Sequence, residues 1–380
     1  MCTNFMLTFP GATPEGRLRV SARTLELSGH LPSRLYLVPR NQPFPLRSPF
    51  KPWLKNPLQW TNRYGFVGIG SPAAMHVLPA FMDGMNEVGL SAAALWLPGT
   101  RYPTEDAHPQ LAYSDLAGWI LGTCATVAEV LARLQEVSIW GPPVGTKDLY
   151  LPLHFIASDP SGESVVIELV DGERKVYGPD WNDHATSDGV LTNAPTYDWH
   201  RSNLANYANL TVVGPETSIV SVGPPVGNGL CGMPGDPMSA SRFVRAALMR
   251  KGFEMLPPSG EGWIPAPLGK GDAGAVQTAV NVAMQLAVVV MATPYGTVLT
   301  RKPGTAGPAV GDWTMWAVVR DHTQRALYYT TAFNGIMRVI NLAALSFDGG
   351  KPFPFESIAL LPEPVESAWV EDVTNQLAMG

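Results

Sequence analysis

The residue best suited to covalent chemistry is Cys2, which follows the first methionine in the opening stretch MCTNFMLTF. Cells generally remove an initiator methionine when the next side chain is small, and removal would leave Cys2 with a thiol and a free α-amine. The thiolate is the nucleophilic form of cysteine, and an α-amine, with an ordinary pKa of about 8, can accept the thiol proton and later return it. The other reading of Cys2 is a small residue that begins an edge strand. The residues around it must decide between the two.

Metal and dinucleotide chemistry is not expected. The three cysteines, Cys2, Cys124 and Cys231, form neither a disulfide framework nor a CxxC pair, and the seven histidines show no HExxH spacing. Two glycine-rich stretches, GIGSPA at 68–73 and GKGDAG at 269–274, resemble nucleotide-binding loops. The first has a proline where a helix should begin, and the second follows a proline-rich loop. Neither has the strand, turn and helix that such a loop requires.

The composition is that of a folded chain with many strands joined by loops. Hydrophobic residues make up 46% of the 380 residues, which is enough for a core, and the net charge of −6 argues against a nucleic-acid-binding protein. Charged residues are only 15%, whereas 37 glycines and 36 prolines punctuate the chain. The length allows two or three domains, or one large layered domain.

The N-terminal stretch lacks the basic region and the long apolar segment of a signal peptide. A cytoplasmic location is therefore expected for the chain as written, with the periplasm as the alternative if Met1 is not the natural start. The most apolar run, residues 275–292, is interrupted by Gln277, Asn281 and Gln285 and is followed by Pro294. This pattern predicts a helix packed between layers, and no membrane insertion is expected.

Strand and helix patterns alternate in groups along the chain. Stretches 2–9, 17–27, 34–40, 64–70 and 89–97 are typical of strands, and 115–122 and 126–137 are typical of helices. Two hairpins should turn at 159–162 and 171–172, and a helix over 239–250 has Ser239 or Ser241 available as its N-cap. After the apolar helix, 314–321 and 325–333 are again strands. The pattern predicts antiparallel sheets covered by helices, with 178–237 as a long loop-rich excursion.

Five separated blocks resemble the choloylglycine hydrolase and penicillin V acylase family of N-terminal-nucleophile (Ntn) amide hydrolases. They are the opening CT, ARTLE at 22–26, DGMNEVGLSAAALW at 83–96, GVLTNAPTYDW at 189–199 and GMPGDPMSASRFVR at 232–245. One block would be weak evidence, but five in order carry the resemblance. It implies an α+β fold, the four-layer αββα Ntn-hydrolase sandwich of two antiparallel sheets flanked by helices, as a single domain over residues 2–380.

The resemblance also implies roles for the residues at matched positions. Cys2 is the expected nucleophile, and Arg23 is expected beside its thiol, where a cation favours the thiolate; a buried ion pair with Glu26 is the simpler alternative. Glu26 stands where the family has an aspartate that orients the N-terminal amine, and the alternative is an exposed strand glutamate. Asn193 is the expected oxyanion donor, and otherwise a turn residue. Arg242 is the expected electrostatic support, and otherwise a solvated helix charge.

Trp96 and Leu27 separate branches of this family. Bile salt hydrolases typically have asparagine at the position of Trp96, whereas acylases resembling the Gram-negative penicillin V acylases have tryptophan. The backbone N–H of that residue can complete the oxyanion hole while the indole lines an acyl pocket; the alternative is a core tryptophan that ends a strand. Leu27 replaces a second tryptophan of those acylases, which predicts a more aliphatic substrate pocket suited to fatty acyl chains.

Together these features predict a hydrolase in which Cys2 cleaves the linear amide of a small N-acyl substrate through a thioester, without a cofactor. Penicillin V and N-acyl homoserine lactones are the preferred substrates. Conjugated bile salts are one alternative, and a non-catalytic protein that binds acyl amides is another. The resemblance further implies a homotetramer, with the 178–237 excursion as its assembly element.

Overall fold

A computed structural model describes residues 1–9, 17–29, 31–44, 54–72, 80–103, 108–144, 150–179, 189–212, 229–254, 271–294, 296–299, 309–349 and 353–360. Several sequence predictions fall on the remaining residues. Residues 10–16, which join the first two predicted strands, positions 269–270 of the second glycine-rich stretch, and positions 180–188 and 213–228 of the excursion lie outside the described residues.

The first sheet has five antiparallel strands, with the N-terminal strand at one edge. Numbered along the chain, its strands lie in the order β1 (Cys2–Phe9), β2 (Leu18–Leu27), β14 (Trp313–Asp321), β15 (Ala326–Thr331) and β16 (Asn334–Asn341). The β1–β2 register places Cys2 opposite Leu25 and Asn4 opposite Arg23. Because alternate residues of a strand face the same side, these four side chains share one face of the sheet.

The second sheet has eight strands and is also antiparallel throughout. Its strands lie in the order β13 (Glu173–Tyr177), β12 (Ser164–Val170), β11 (Leu153–Ser158), β8 (Ser91–Trp96), β7 (Phe81–Asn86), β6 (Phe66–Gly70), β3 (Arg34–Val38) and β17 (Glu356–Ala359). Two short pairs complete the described strands: β4 (Pro43–Phe44) with β5 (Trp60–Thr61), and β9 (Gln110–Ala112) with β10 (Ser138–Trp140).

Helices cover the outer face of each sheet. On the second sheet, α1 (Leu116–Thr123) packs on β7 and β8, and α2 (Val127–Leu134) packs on β12. The short α3 (Tyr197–Asn203) contacts α4 (Ser239–Glu254), which packs on β1 of the first sheet, and α5 (Gly271–Gln285) packs on β2 and β14. The order helix, sheet, sheet, helix is the four-layer αββα sandwich, so the predicted fold class is confirmed.

The apolar run at 275–292 forms α5 and a π-helical continuation, Leu286–Met291. By length and composition, Gly274–Met291 is the one helix among the described residues that could cross a membrane. Its buried side chains, however, join the core cluster that includes residues of β2 and β14, as expected for a layer helix. These buried side chains are Ala279, Val280, Ala283, Met284, Ala287 and Met291.

The structure differs from the sequence prediction in two places, the excursion and the start of α4. In addition, residues 83–86 lie within a strand, β7, although Asp-Gly usually marks a turn. Gly84 is required there because a Cβ atom would lie 2.7 Å from the backbone oxygen of Val67. The excursion contains α3, so it is less loop-like than predicted. Finally, α4 already begins at Ser239, whose hydroxyl binds the segment at Asn193, so neither serine is the N-cap before the helix.

Candidate active site

The thiol of Cys2 lies on the face of the first sheet that meets the second sheet. Its side chain is buried, with 3% of the residue exposed, and its Sγ atom is 3.7 Å from Nη2 of Arg23. The same Nη2 donates to the backbone oxygen of Ala94 on β8 at 2.6 Å, and Nη1 donates to the backbone oxygen of Met82 on β7. The Arg23 side chain therefore extends from the first sheet to the second, where backbone oxygens of β7 and β8 hold its guanidinium group beside the sulfur.

The buried ion-pair partner of Arg23 is Asp83 and not Glu26. Arg23 Nη1 lies 3.2 Å from Asp83 Oδ2, and both side chains are fully buried. Glu26 is three residues after Arg23 on β2, and odd separations along a strand place side chains on opposite faces. The alternative of an Arg23–Glu26 pair is therefore wrong.

Glu26 lies on the helix-facing side of the first sheet and is buried, so the alternative of an exposed glutamate is also wrong. Its Oε1 accepts a hydrogen bond from Thr314 Oγ1 at 2.7 Å. Burial raises the pKa of Glu26 above its ordinary value, while the positive charges of Arg242 and the N-terminus act in the opposite direction. Its predicted role, orienting the amine of Cys2, remains a prediction.

Asn193 is bound to three other residues of the predicted site. Its Oδ1 accepts from the backbone nitrogen of Cys2 at 2.6 Å and from Arg242 Nη2 at 2.9 Å, and its Nδ2 donates to the backbone oxygen of Trp96 at 2.7 Å. The Cys2 N–H and Arg242 donate to one end of the Asn193 amide, and the Trp96 oxygen accepts from the other end. These hydrogen bonds therefore identify which amide atom is the oxygen and which is the nitrogen. The Nδ2 group carries a second hydrogen beyond the one given to Trp96.

Arg242 joins α4 to the start of β1. Its Nη1 donates to the backbone oxygen of Cys2 at 2.5 Å and to Thr3 Oγ1, and its Nε donates to the backbone oxygen of Pro237 at 2.9 Å. The residue is 1% exposed, so the reading of Arg242 as a solvated helix charge is wrong. Burial lowers its pKa, and the nearby Glu26 carboxylate opposes that shift.

Trp96 ends β8 next to Asn193, and its residue is 39% exposed, which excludes the core-tryptophan reading. The following residue, Leu97, donates its backbone N–H to Pro152, on the side of β11. Since successive residues of a strand direct their N–H and C=O groups to opposite edges, both groups of Trp96 point toward Asn193. Leu27 is half-buried and two positions beyond Leu25, on the same face as Cys2.

Met1 continues the β1–β2 pairing by one residue. Glu26 donates its backbone N–H to the oxygen of Met1 at 2.8 Å, and the Met1 ammonium donates back to the oxygen of Glu26 at 2.7 Å. The same ammonium lies 2.9 Å from Asp312 Oδ2. With Met1 in place, the nitrogen of Cys2 is an amide nitrogen. Removal of Met1 would convert the nitrogen of Cys2, which lies 2.6 Å from Asn193 Oδ1, into an amine.

Comparison with known proteins identifies the family. The family model described as linear amide C-N hydrolases, choloylglycine hydrolase family, matches residues 11–260. The chain belongs to this family. It is therefore a hydrolase of carbon–nitrogen bonds, other than peptide bonds, in linear amides.

Individual choloylglycine hydrolase relatives agree with this assignment. The chain is 31% identical to the bile salt hydrolase/transferase of Clostridium perfringens over 261 residues, which are 66% of this chain and 72% of that protein. It is 28% identical to the penicillin V acylase of Pectobacterium atrosepticum over 300 residues, 76% of this chain and 69% of that protein. Among solved structures, a mutant of the conjugated bile acid hydrolase of Clostridium perfringens has a TM-score of 0.72 and 25% identity, covering 98% of this chain and 100% of that one.

The same fold is found in the penicillin V acylase of Agrobacterium tumefaciens, with a TM-score of 0.63 over 92% of this chain and 88% of that one at 23% identity. The two solved structures therefore share the fold of this chain over nearly its whole length. Within the described residues, no group of three or more His, Cys, Asp or Glu side chains is arranged to hold a metal ion.

Four residues of this candidate active site were missed by sequence reasoning. Asp83 and Arg320 lie behind Arg23, with Arg320 Nη1 3.3 Å from Asp83 Oδ2. His200 and Ser239 hold the backbone of Asn193: His200 Nε2 is 2.8 Å from its oxygen, and Ser239 Oγ accepts its N–H at 2.9 Å. Asp83 and Ser239 lie within the family blocks at 83–96 and 232–245, so the sequence did contain a signal for them. Their positions in the sequence, however, do not show that they contact Arg23 or Asn193.

A pH-dependent effect of Glu26 on stability is expected from its burial. Because its pKa is raised in the fold, the protonated carboxyl stabilises the folded state below the unfolded pKa of about 4.3, and this contribution is lost as pH rises through the folded value. Glu26→Gln cannot ionise. We therefore expect the Tm of Glu26→Gln, relative to the unsubstituted protein, to be higher at about pH 8 than at about pH 4. Thermal unfolding at both pH values measures this, with exposed Glu136→Gln as the control.

An equal Tm difference for Glu26→Gln at the two pH values would contradict this expectation. It would mean that Arg242 and the N-terminus fully offset the cost of burying the charge.

Proposed function

We propose that this protein is an N-terminal cysteine acylase that hydrolyses N-acyl amides with an apolar acyl group, such as N-acyl homoserine lactones and penicillin V. The observation that carries the substrate class is the exposed indole of Trp96, whose backbone oxygen is bound to Asn193 beside Cys2. Leu27 provides a second apolar side chain on the Cys2 face. Apolar, uncharged side chains at these two positions suit an apolar acyl chain.

The proposed reaction begins once Met1, and anything before it, has been removed. The amine of Cys2 takes the thiol proton, and the thiolate attacks the acyl carbonyl carbon. The oxygen becomes an oxyanion, which receives hydrogen bonds from Asn193 Nδ2 and the backbone N–H of Trp96. The intermediate collapses, the C–N bond breaks, and the Cys2 ammonium returns its proton to the departing amine, which leaves a thioester.

Water then resolves the thioester. The Cys2 amine accepts a proton from the attacking water, a second oxyanion forms in the same place, and its collapse releases the carboxylic acid and restores the thiol. The positions of Arg23 at 3.7 Å from Sγ and of Asn193 at 2.6 Å from the Cys2 nitrogen support this division of roles. Arg242 holds both Cys2 and Asn193 in place.

A conjugated bile salt hydrolase is the second candidate. The 31% identity to the bile salt hydrolase/transferase of Clostridium perfringens favours it. Trp96 favours the acylase reading, because its side chain replaces the asparagine typical of bile salt hydrolases. A homotetrameric assembly of this chain is also proposed from the family resemblance, and sedimentation would test it.

A substrate panel distinguishes these candidates. Decanoyl homoserine lactone, penicillin V and glycocholate are incubated with the protein and with Cys2→Ala as the inactive control, and the released amine is quantified. We expect the first two to be hydrolysed with higher kcat/KM than glycocholate. A preference for glycocholate would overturn the acylase proposal in favour of the bile salt hydrolase.

The role of the Trp96 side chain gives a separate prediction. In Trp96→Ala the backbone N–H remains, so we expect kcat for decanoyl homoserine lactone to change little while KM rises by about tenfold, the equivalent of about 1.4 kcal/mol of lost acyl contact. Trp199→Ala, which removes another exposed tryptophan, serves as the matched control. An unchanged KM would show that the acyl chain binds elsewhere.

A further inference from the structure

Behind the Cys2 thiol lies a buried cluster of three charges, of which Asp83 and Arg320 have no part in the proposed reaction. Asp83 on β7 accepts from two arginines through the same oxygen: Oδ2 is 3.2 Å from Arg23 Nη1 and 3.3 Å from Arg320 Nη1. All three side chains are at most 1% exposed. We call Arg23, Asp83 and Arg320 the inter-sheet charge cluster.

The inter-sheet charge cluster carries one positive charge in excess, because two guanidinium groups share one carboxylate. An isolated charge buried between two sheets is costly unless a counter-charge lies close to it. The Sγ atom of Cys2 is 3.7 Å from Arg23 Nη2, on the side away from Asp83. A thiolate at that position would bring the buried charges into balance.

Within the described residues, the other charged groups near Cys2 add no negative charge on the inter-sheet face. Arg242 and Glu26 lie on the opposite face of the first sheet and act on one another, and the positive charge of Arg242 also acts on Cys2. Asp312 binds the Met1 ammonium at 2.9 Å, and once Met1 is removed the α-amine of Cys2 can carry a positive charge instead. His322 is neutral near pH 7, because burial lowers its pKa to about 3. Within the described residues, the contact of Arg23 with β8 is neutral, because its Nη2 donates to the backbone oxygen of Ala94.

Arg320 also braces the strand that carries the nucleophile. Its Nη2 donates to Asn4 Oδ1, two residues after Cys2 on the same face of β1. The backbone of Asn4 exchanges hydrogen bonds with Leu191, at 2.7 and 2.9 Å, two residues before Asn193. Hydrogen bonds through Asn4 therefore connect the inter-sheet charge cluster to the strand of Cys2 and to the segment of Asn193.

We propose that Asp83 and Arg320 are positioning residues that hold Arg23 against Cys2 and, by leaving one buried positive charge unbalanced, stabilise the thiolate that forms when the Cys2 amine takes the thiol proton. The inference rests on the proposed function, in which Cys2 is the nucleophile. It adds that two residues without contact to the sulfur control how readily that sulfur ionises. Opposite charges at Asp83 and Arg320 should therefore have opposite effects.

The test follows the pH dependence of Cys2 alkylation by iodoacetamide in protein that has lost Met1. Mass spectrometry of the N-terminal peptide separates Cys2 from Cys124 and from the exposed Cys231. Arg320→Met removes a positive charge, and we expect the alkylation midpoint to rise by about one pH unit; Asp83→Asn removes the negative charge and should lower it by a similar amount. Arg320→Lys, which keeps the charge, should restore the original midpoint.

A purely structural role would not produce shifts of opposite sign. Asp115→Asn removes a buried carboxyl that immediately precedes α1 on the second sheet; it is the matched control and should leave the midpoint unchanged. An unchanged midpoint in Arg320→Met, or a raised one in Asp83→Asn, overturns the proposal. If Asp83→Asn does not fold, the two Arg320 variants are sufficient: the proposal requires a raised alkylation midpoint in Arg320→Met and the original midpoint in Arg320→Lys. Because alkylation requires no turnover, a negative result here is distinct from failure of the substrate panel.

Discussion

Insertion of a lysine between Met1 and Cys2 is expected to abolish amide hydrolysis while leaving the fold intact. A large second residue blocks removal of the initiator methionine, so the nitrogen of Cys2 stays in a peptide bond. An amide nitrogen cannot accept the thiol proton, and we expect kcat to fall by about 10²–10⁴-fold, the usual contribution of a general acid-base group. Turnover of the best substrate in the panel, together with intact mass, measures the effect.

The structure explains why the fold should tolerate this change. Met1 already pairs with Glu26 through two backbone hydrogen bonds of 2.7 and 2.8 Å, so the β1–β2 ladder accepts residues before Cys2. The Arg23 contact to the thiol is independent of what precedes Cys2. The extended protein should therefore keep its Tm and lose only the base.

The control is a protease-removable extension whose cleavage leaves Cys2 as the first residue. Cleavage should restore activity fully, which excludes damage elsewhere. Full turnover by protein whose intact mass still includes the inserted lysine would disprove the proposed mechanism, because the α-amine would then be dispensable.

The local part of the fold was predictable from the sequence because its determinants are local. The strands β1 and β2 and the two hairpins that turn at 159–162 and 171–172 follow from apolar runs bounded by turn residues, and all were observed. The proximity of Cys2 and Arg23 also follows from a single hairpin register. These features depend on neighbours within about 25 residues, where patterns are informative.

The long-range part of the site was accessible only through the family resemblance. Asn193 and Arg242 meet Cys2 across 191 and 240 residues of chain, a separation that no periodicity encodes. Asp83 and Arg320 lie 237 residues apart and gave no signal at all as a pair. Asp83 was further obscured by Gly84, since Asp-Gly is typical of turns and here lies inside a buried strand.

The second large effect is expected for Asn193, the proposed side-chain donor to the oxyanion. Asn193→Ala removes that donor, and losing one such group typically lowers kcat by about 10²–10³-fold. KM should change far less, because the hydrogen bond strengthens only when charge develops on the oxygen. Steady-state kinetics with the best substrate of the panel measures this division between kcat and KM.

Asn193→Asp makes the argument sharper, because it keeps the shape of the side chain. A carboxylate could still accept from the Cys2 nitrogen and from Arg242, as Oδ1 does now at 2.6 and 2.9 Å. It could no longer donate to Trp96 or to an oxyanion, and its charge would repel both oxygens. We therefore expect Asn193→Asp to be at least as inactive as Asn193→Ala.

The control is Asn62→Ala, which changes a buried asparagine in a different part of the fold and should retain kcat. An active Asn193→Asp would mean that Asn193 only anchors Cys2, and the oxyanion would then depend on other donors.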